Sequence, residues 1–316
     1  MTYGPKDSSH TAQFFIGKDC HGYFRAYVKG FAMFEYSRVK TDDCSLQQYA
    51  SLLRNCFPSA AHLTSRYLRW LYVENPCGTA VGIDAFCGEV LAAHYVCVPS
   101  DVSIMGRQVK ALLSLNTATH PEFRGKGLFT KLADATYGLA AELGYSLVYG
   151  VANANSTPGF VRKLGFQLVG PLDATLGLGR QFKIDWEKVH KVSEFRCLWD
   201  TKRLSWRIRN PENRIAAVTR ESGISELFAR TDKKNIVAWA EVPTSLRKCD
   251  TATPSIVYPR LFLGLNPRDC AAGKIRVSIP NRLRPSPLNF IVRSVEGEVT
   301  LDRNLITFSF ADFDAY

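Results

Sequence analysis

The fold is decided by one junction in the chain, which reads Thr119-His120-Pro121-Glu122-Phe123-Arg124-Gly125-Lys126-Gly127-Leu128-Phe129. An apolar run with a β-branched end, Val109–Thr119, predicts a strand before it. Apolar residues spaced three and four apart from Leu128 to Leu143 predict a helix after it, and Gly144 is typical of a helix end. The junction is therefore a strand, a glycine-rich turn and a helix in succession.

Such a junction predicts a binding site for phosphate groups. Glycine lets the backbone approach a ligand closely, and the first turn of a helix presents N–H groups that lack intrahelical partners. The same helix end carries a partial positive charge. Arg124, Lys126 and Thr130 can add charge and hydrogen-bond donors, so the turn predicts a cradle for a pyrophosphate.

Two familiar phosphate-binding motifs do not fit the turn. A P-loop ends in Gly-Lys followed by Ser or Thr, whereas Gly127 is followed by Leu128 and Phe129. The dinucleotide fingerprint needs a third glycine three residues after the second, and Thr130 stands there. Both classes of nucleotide-binding site are excluded at this junction.

The surrounding pattern predicts an α/β (α+β) fold with a mixed, mostly antiparallel sheet and helices on its faces. Ser45 is the expected N-cap of the first helix, and Pro158 marks the start of the last one. The predicted strands are Gly30–Val39, Ala80–Phe86, Val90–Val98, Val109–Thr119, Ser146–Val151 and Phe166–Val169. The predicted helices are 45–56, Thr64–Val73, Leu128–Leu143 and a short one from Thr157.

The junction and a second stretch together resemble the GNAT superfamily of N-acetyltransferases. Residues 119–127 resemble the motif of that family which cradles the pyrophosphate of acetyl-CoA. Asn153-Ala154-Asn155-Ser156, followed by Phe160-Val161-Arg162-Lys163-Leu164-Gly165-Phe166, resembles its later motif. The resemblance spans roughly residues 30–170 and implies a GNAT-type sheet, acetyl-CoA as cosubstrate and no metal.

The resemblance also implies which residues hold acetyl-CoA. Backbone groups of Ala118 and Thr119 are expected to pair with the pantetheine arm, and Asn153 or Asn155 to reach the thioester end. The expected pyrophosphate site comprises Arg124, Gly125, Lys126, Gly127, Leu128, Phe129 and Thr130. Because Phe129 stands where the family has a smaller residue, its side chain is expected to point into the core.

Two departures from the family pattern affect catalysis. Leu113 stands where the family often has a carboxylate base, and Val161 stands near the position of a tyrosine acid. His94 and Asn116 are the polar candidates nearby, because a neutral imidazole can accept the proton of an ammonium group. For His94 the alternative is a hydrogen-bonded histidine of the core.

The chain is long enough for two domains, with 316 residues. Arg203-Leu204-Ser205-Trp206-Arg207, leading to Asn210-Pro211, echoes Arg66-Tyr67-Leu68-Arg69-Trp70, leading to Asn75-Pro76. If this echo is a repeat, residues 1–179 form the GNAT-like catalytic domain with a lead-in over 1–29, and residues 180–316 form a second, degenerate GNAT-like domain.

Composition limits the partners and the location. Forty Lys and Arg against 29 Asp and Glu give a net charge of +11, which favours anionic ligands or serves solubility alone. No secretory signal or membrane span is apparent, and nine scattered cysteines without a C-x-x-C pair favour a reduced, cytoplasmic protein without a zinc site.

The sequence therefore predicts an N-acetyltransferase that moves an acetyl group from acetyl-CoA to a primary amine. The layout also resembles large, two-part GNAT members associated with surface-polysaccharide synthesis, which implies an amino sugar on a nucleotide carrier as acceptor. The alternative is a catalytically silent acyl-CoA-binding or scaffolding protein. Nucleic-acid binding through the basic segment 274–293 is a third and weaker hypothesis.

Overall fold

A computed structural model describes residues 33–179, 182–220, 222–244, 258–267, 270–273 and 276–313, with two short strands at 17–18 and 24–25. Most of the predicted lead-in over 1–29, residues 30–32 of the first predicted strand and Lys274 of the basic segment lie outside the described residues.

The described residues form α-helices up to Arg207 and strands along their whole length. The α-helices are α1 (Asp43–Cys56), α2 (Ser65–Tyr72), α3 (Leu128–Glu142), α4 (Thr157–Leu164), α5 (Trp186–Val192) and α6 (Thr201–Arg207). The strands are β1 (Gly17–Lys18), β2 (Phe24–Arg25), β3 (Glu35–Arg38), β4 (Val81–Cys87), β5 (Val90–Ile104), β6 (Arg107–Thr119), β7 (Leu147–Ala152), β8 (Gln167–Pro171), β9 (Asp173–Gly177), β10 (Phe182–Ile184), β11 (Phe195–Cys197), β12 (Ala216–Thr219), β13 (Ile224–Arg230), β14 (Val237–Pro243), β15 (Arg260–Leu265), β16 (Ala271–Gly273), β17 (Arg276–Ser278), β18 (Asn289–Ser294) and β19 (Ile306–Ser309).

The N-terminal part of the sheet positions the predicted site. Strands β1 to β6 pair antiparallel in chain order, and β7 then pairs parallel to β6. Side chains of β5 alternate between the two faces, as in any strand. Val96 and Val98 join the core that α1 and α2 cover, whereas Tyr95 and Cys97 join the core that α3 covers.

The C-terminal part repeats this strand order. Strands β12, β13 and β14 pair antiparallel in chain order, and β15 then pairs parallel to β14. Each part also takes one strand from the other: β18 lies between β7 and β8, and β9 lies between β15 and β17. The predicted boundary at residues 179 and 180 therefore separates strands that pair across it, and the division into two domains stays a prediction.

Two local expectations were wrong. Asp42, not Ser45, caps α1, because its Oδ1 accepts a hydrogen bond from the Ser45 main-chain N–H at 3.0 Å. Strand β5 also continues past Val98 to Ile104, where Val102 pairs with Cys197 of β11. That partner is remote in sequence, so the local pattern around Pro99 gave no sign of it. The mixed, mostly antiparallel sheet flanked by helices is confirmed.

Candidate active site

Strands β6 and β7 stop pairing next to the predicted site. They pair from Ala111 with Leu147 to Ser114 with Gly150, although β6 runs on to Thr119. Beyond Ser114, β6 also carries an irregularity in its pairing with β5, where Val96 opposes Leu115 but His94 opposes Ala118. This is a β-bulge, which bends a strand and re-aims its side chains. A wedge therefore opens between β6 and β7.

Asn116 lies at the bulge, in a backbone conformation that few side chains adopt. Its φ is +48°, in the left-handed region that Asn tolerates better than most residues. The side chain is half-buried and donates from Nδ2 to the Tyr72 hydroxyl at 3.2 Å. The bulge thus places an amide side chain just beyond the point where the two strands separate.

The glycine-rich turn enters α3 as the sequence predicts. Gly125 and Gly127 have φ values of +76° and +72°, and Gly127 is the N-cap of α3. A Cβ added to either glycine would meet no protein atom within 4 Å, so open space lies against both. The first turn of α3 that follows comprises buried Leu128 and half-buried Phe129 and Thr130.

Two cationic side chains, Arg124 and Lys126, lie on this turn in different surroundings. Arg124 donates from Nε to the Thr119 carbonyl at 3.4 Å, which ties its exposed guanidinium to the end of β6. The Lys126 ammonium lies over the rings of Phe34 and Phe123, 5.8 and 5.7 Å from their centroids. Both charges lie on the turn, but Lys126 rests on aromatic rings.

The two residues expected to meet pantetheine have different surroundings. Ala118 is buried and opposes His94 across the sheet. The Thr119 carbonyl also accepts a hydrogen bond from the Cys56 thiol at 3.3 Å, in addition to the contact with Arg124. A pantetheine arm that pairs with Thr119 would therefore compete with these donors.

Phe129 points inward, as the sequence predicts. Its ring meets those of Tyr95 and Phe160 edge to face, with centroids 6.0 and 5.4 Å away. It also lies against Gly159 of α4, where an added Cβ would come within 3.1 Å of the ring. The Phe129 ring thus packs α3 against α4.

Asn153 and Asn155 lie in the turn before α4. The Oδ1 atom of Asn153 accepts hydrogen bonds from the main-chain N–H groups of Asn155 and Ser156, both at 3.0 Å. This arrangement is an Asx turn, in which the side chain organises the backbone. Asn153 therefore has a structural task in the turn, and its predicted contact with a thioester stays a prediction.

His94 and Asn116 belong to one buried network. His94 is 0% exposed, its Nδ1 lies 2.6 Å from Asp84 Oδ1, and its Nε2 lies 3.3 Å from the Tyr72 hydroxyl. Tyr49 stacks on the His94 ring and donates to Asp84 Oδ2 at 2.6 Å. Burial raises the pKa values of Tyr49 and Tyr72 far above the ordinary value of a tyrosine, so both hydroxyls stay protonated.

Comparison with known proteins gives a family and a fold. Residues 35–169 match the family model of the acetyltransferase (GNAT) domain. They form a GNAT acetyltransferase domain. The match covers the open turn, the bulge and the buried network, so the predicted family is confirmed for this part of the chain.

Solved structures of GNAT proteins share the fold. A GCN5-related N-acetyltransferase from Anabaena variabilis is 12% identical, with a TM-score of 0.53 over 83% of this chain and 73% of that chain. One from Kribbella flavida is 13% identical, with a TM-score of 0.54 over 83% and 71%. None of the curated proteins matches the sequence.

The GNAT domain contains polar residues that lie outside the two sequence motifs. Asp84 and Tyr49 have no place in either motif, whereas Tyr72 belongs with Trp70 and Phe86 to an aromatic group that could line an acceptor pocket or form part of the core. A carboxylate within the apolar strand Val81–Cys87 was the available signal, because a buried carboxylate needs a partner. That partner, His94, becomes apparent only when β4 and β5 are paired.

Two further findings concern metals and membranes. Among the described residues, no group of three or more His, Cys, Asp or Glu side chains is placed to hold a metal ion. No helix in the same residues is long and apolar enough to cross a bilayer.

Proposed function

We propose that this chain is an N-acyltransferase that moves an acetyl group from acetyl-CoA to a primary amine. The observation that carries the proposal is the wedge between β6 and β7, together with the open glycine turn that follows the end of β6 and begins α3. A strand-like pantetheine arm fits an opening between two strands, and a pyrophosphate fits the helix terminus.

The residues of the turn suit the diphosphate of acetyl-CoA. Open space lies against Gly125 and Gly127, so a phosphate can approach the main chain closely. The N–H groups of the first turn of α3, with the Arg124 guanidinium beside them, would hold the phosphates. Ala118 and Thr119 of β6 would guide the arm toward the bulge.

The proposed reaction needs no covalent enzyme intermediate. The nitrogen of a neutral amine attacks the thioester carbonyl carbon, the C–S bond breaks, and the thiolate of CoA leaves and takes up a proton. The amine nitrogen loses one proton in exchange. The protein contributes positioning and hydrogen-bond donors for the carbonyl oxygen, both of which lower the barrier. His94 and Asn116 would take part on the amine side.

The acceptor is proposed at two levels of detail. A primary amine is the general acceptor of this chemistry, and an amino sugar on a nucleotide carrier is a narrower suggestion from the sequence. The net charge of +11 supports an anionic acceptor, but it suits CoA equally well. Cytoplasmic location and a role in surface-polysaccharide synthesis also stay predictions.

A catalytically silent acyl-CoA-binding protein is the second candidate. Leu113, where a carboxylate base is often found in the family, is 7% exposed, and Val161 cannot donate a proton to a thiolate. Tight acetyl-CoA binding without transfer to any amine in a broad panel would favour this candidate. Release of free thiol that depends on an amine would exclude it.

The cofactor site is tested by Gly127→Val with Gly144→Val as its matched control. Both glycines have left-handed φ values, +72° and +76°, and a Cβ at either meets no protein atom within 4 Å. The backbone strain of the two variants is therefore similar, on the order of 1–2 kcal/mol. They differ in position, since Gly127 begins α3 and Gly144 follows its end.

We expect Gly127→Val to abolish acetyl-CoA binding in calorimetry and Gly144→Val to bind like the wild type. The added valine would occupy the space that the pyrophosphate needs. Equal binding by Gly127→Val and the wild type would show that the diphosphate lies elsewhere. Thermal unfolding of both variants establishes that they fold to a similar extent.

A further inference from the structure

The buried network around His94 has a defined direction of hydrogen bonding. A carboxylate only accepts, so Asp84 Oδ1 requires a proton on His94 Nδ1, 2.6 Å away. The neutral ring then accepts at Nε2, and the Tyr72 hydroxyl 3.3 Å away donates to it. The Tyr72 oxygen is left to accept a hydrogen bond, and the Asn116 Nδ2 group donates to it at 3.2 Å.

This direction decides which end of the Asn116 amide faces inward. The two ends of an amide side chain are alike in shape and differ in hydrogen bonding. Because Tyr72 can only accept from Asn116 while His94 is neutral, the NH2 group must turn inward. The Oδ1 atom then lies on the other side of the planar amide, away from Tyr72.

We propose that Tyr72 is a positioning residue, which with His94 and Asp84 holds Asn116 so that Oδ1 accepts an N–H of the attacking amine. This inference rests on the proposed function. Asn116 lies at the bulge, two residues past the last pair between β6 and β7, and is half-buried, whereas His94 and Tyr72 are buried. Of the three, Asn116 is therefore the residue within reach of a ligand in the wedge.

Protonation of His94 would leave the bond from Nδ1 to Asp84 unchanged and would reverse the two bonds beyond Nε2. Nε2 would then donate to the Tyr72 oxygen, Tyr72 would donate to Asn116 Oδ1, and the NH2 group would face the wedge. An NH2 group repels the N–H groups of an amine. The titratable groups that face His94 are Asp84 on β4, Tyr49 on α1 and Tyr72 on α2. Cys97 on β5 contributes to the raised pKa of Tyr72 through its charge.

A double-mutant cycle between Tyr72→Phe and Asn116→Gly tests the proposal. Glycine keeps the left-handed backbone at position 116, and phenylalanine removes only the hydroxyl at position 72. With the best amine from a primary-amine panel, each single variant is expected to raise the KM for the amine about tenfold. The KM for acetyl-CoA should not change, and the double variant should be no worse than Asn116→Gly alone.

Tyr137→Phe is the matched control. Tyr137 is also buried, and its hydroxyl lies 2.6 Å from that of Tyr95 in the core that α3 covers. This variant should leave the KM for the amine within twofold and should combine additively with Asn116→Gly. Additive effects of Tyr72→Phe and Asn116→Gly would overturn the proposal, as would an unchanged KM in Tyr72→Phe.

Nitrogen-15 NMR of His94 tests the chain independently of activity. The neutral ring should carry its proton on Nδ1, and Tyr72→Phe should shift the Nε2 resonance. A proton on Nε2 in the neutral ring would overturn the inference. A wild type that binds acetyl-CoA but acetylates no amine would contradict the proposed function, and the NMR result would still decide the direction of the chain.

Discussion

The indole rings of Trp70 and Trp206 stack on each other, with centroids 4.6 Å apart and planes 14° from parallel. Each indole N–H also donates to the main-chain carbonyl of the other residue, both at 3.0 Å. Helices α2 and α6 thus exchange identical contacts across the two parts of the chain. The pair joins the two segments whose sequences echo each other, and both residues are buried.

Trp206→Phe is expected to lower the free energy of unfolding by about 2–3 kcal/mol. It removes a buried hydrogen bond, leaves the Trp70 carbonyl without its donor and reduces packing volume. Urea unfolding followed by circular dichroism measures the change. Trp186→Phe is the matched control, because the buried Trp186 Nε1 has no hydrogen-bond partner in the described part of the chain. A similar loss in both variants would show that the reciprocal hydrogen bonds are unimportant.

Acetyl-CoA is expected to bind once per chain. Strands β14 and β15 pair parallel at Val237–Ala238 and Arg260–Leu261, and β19 then pairs with the remainder of β15. The turn after β19, Phe310–Asp312, contacts β14 and accepts a hydrogen bond from Arg207. In the C-terminal part, β19 and the turn after it therefore occupy the position that corresponds to the wedge between β6 and β7.

Calorimetry measures this stoichiometry directly. We expect a value near one for the wild type, and the Gly127→Val variant should retain no second, weaker site. Two equivalents of acetyl-CoA bound to the wild type, or one bound to the variant, would show that the C-terminal part also takes the ligand.

Arg124→Gln is expected to weaken acetyl-CoA binding by roughly 1.5–3 kcal/mol, the contribution of a hydrogen bond to a charged group. The variant should also show a smaller dependence of Kd on salt concentration, because one cation fewer meets the phosphates. Arg209→Gln serves as control, since Arg209 is also exposed and donates from Nε to a main-chain carbonyl at 3.0 Å. Equal salt dependence in all three proteins would place Arg124 away from the phosphates.

Alkaline pH is expected to destabilise the fold partly through Cys97. Burial raises the pKa of this thiol to about 12, whereas a thiol in an unfolded chain titrates near ~8.5. Between these values the unfolded chain has lost the proton and the folded chain has kept it. The free energy of unfolding therefore falls as pH rises, by up to ~1.4 kcal/mol per pH unit from this group.

Unfolding curves in urea at pH 8, 9 and 10 test this contribution. Cys97→Ala should lose stability less steeply with pH than the wild type, and Cys44→Ala, which changes an exposed thiol, should follow the wild type. Parallel slopes for the wild type and Cys97→Ala would contradict the prediction.

Much of the fold could be predicted because its signals are local. The apolar spacing from Leu128 to Leu143 and the glycine at 144 predicted α3 and its end, and the structure has Leu128–Glu142 with a left-handed Gly144. Helix α2 lies within the predicted range Thr64–Val73, and Thr64 is its N-cap. Strand ends were less certain, because β5 extends to Ile104 only where β11 supplies a partner.

By itself, the sequence determined the glycine turn at residues 125–127, since the chain needs left-handed residues there and glycine adopts that conformation with little strain. It also determined the family, because two motifs occur in the right order. The tertiary structure decided the network of Asp84, His94, Tyr72 and Asn116. These residues come from three strands and a helix, and a hydrogen bond depends on distances that no sequence spacing encodes. The pairing of β18 with β7 and β8, and of β9 with β15 and β17, likewise depends on how the two parts of the chain pack.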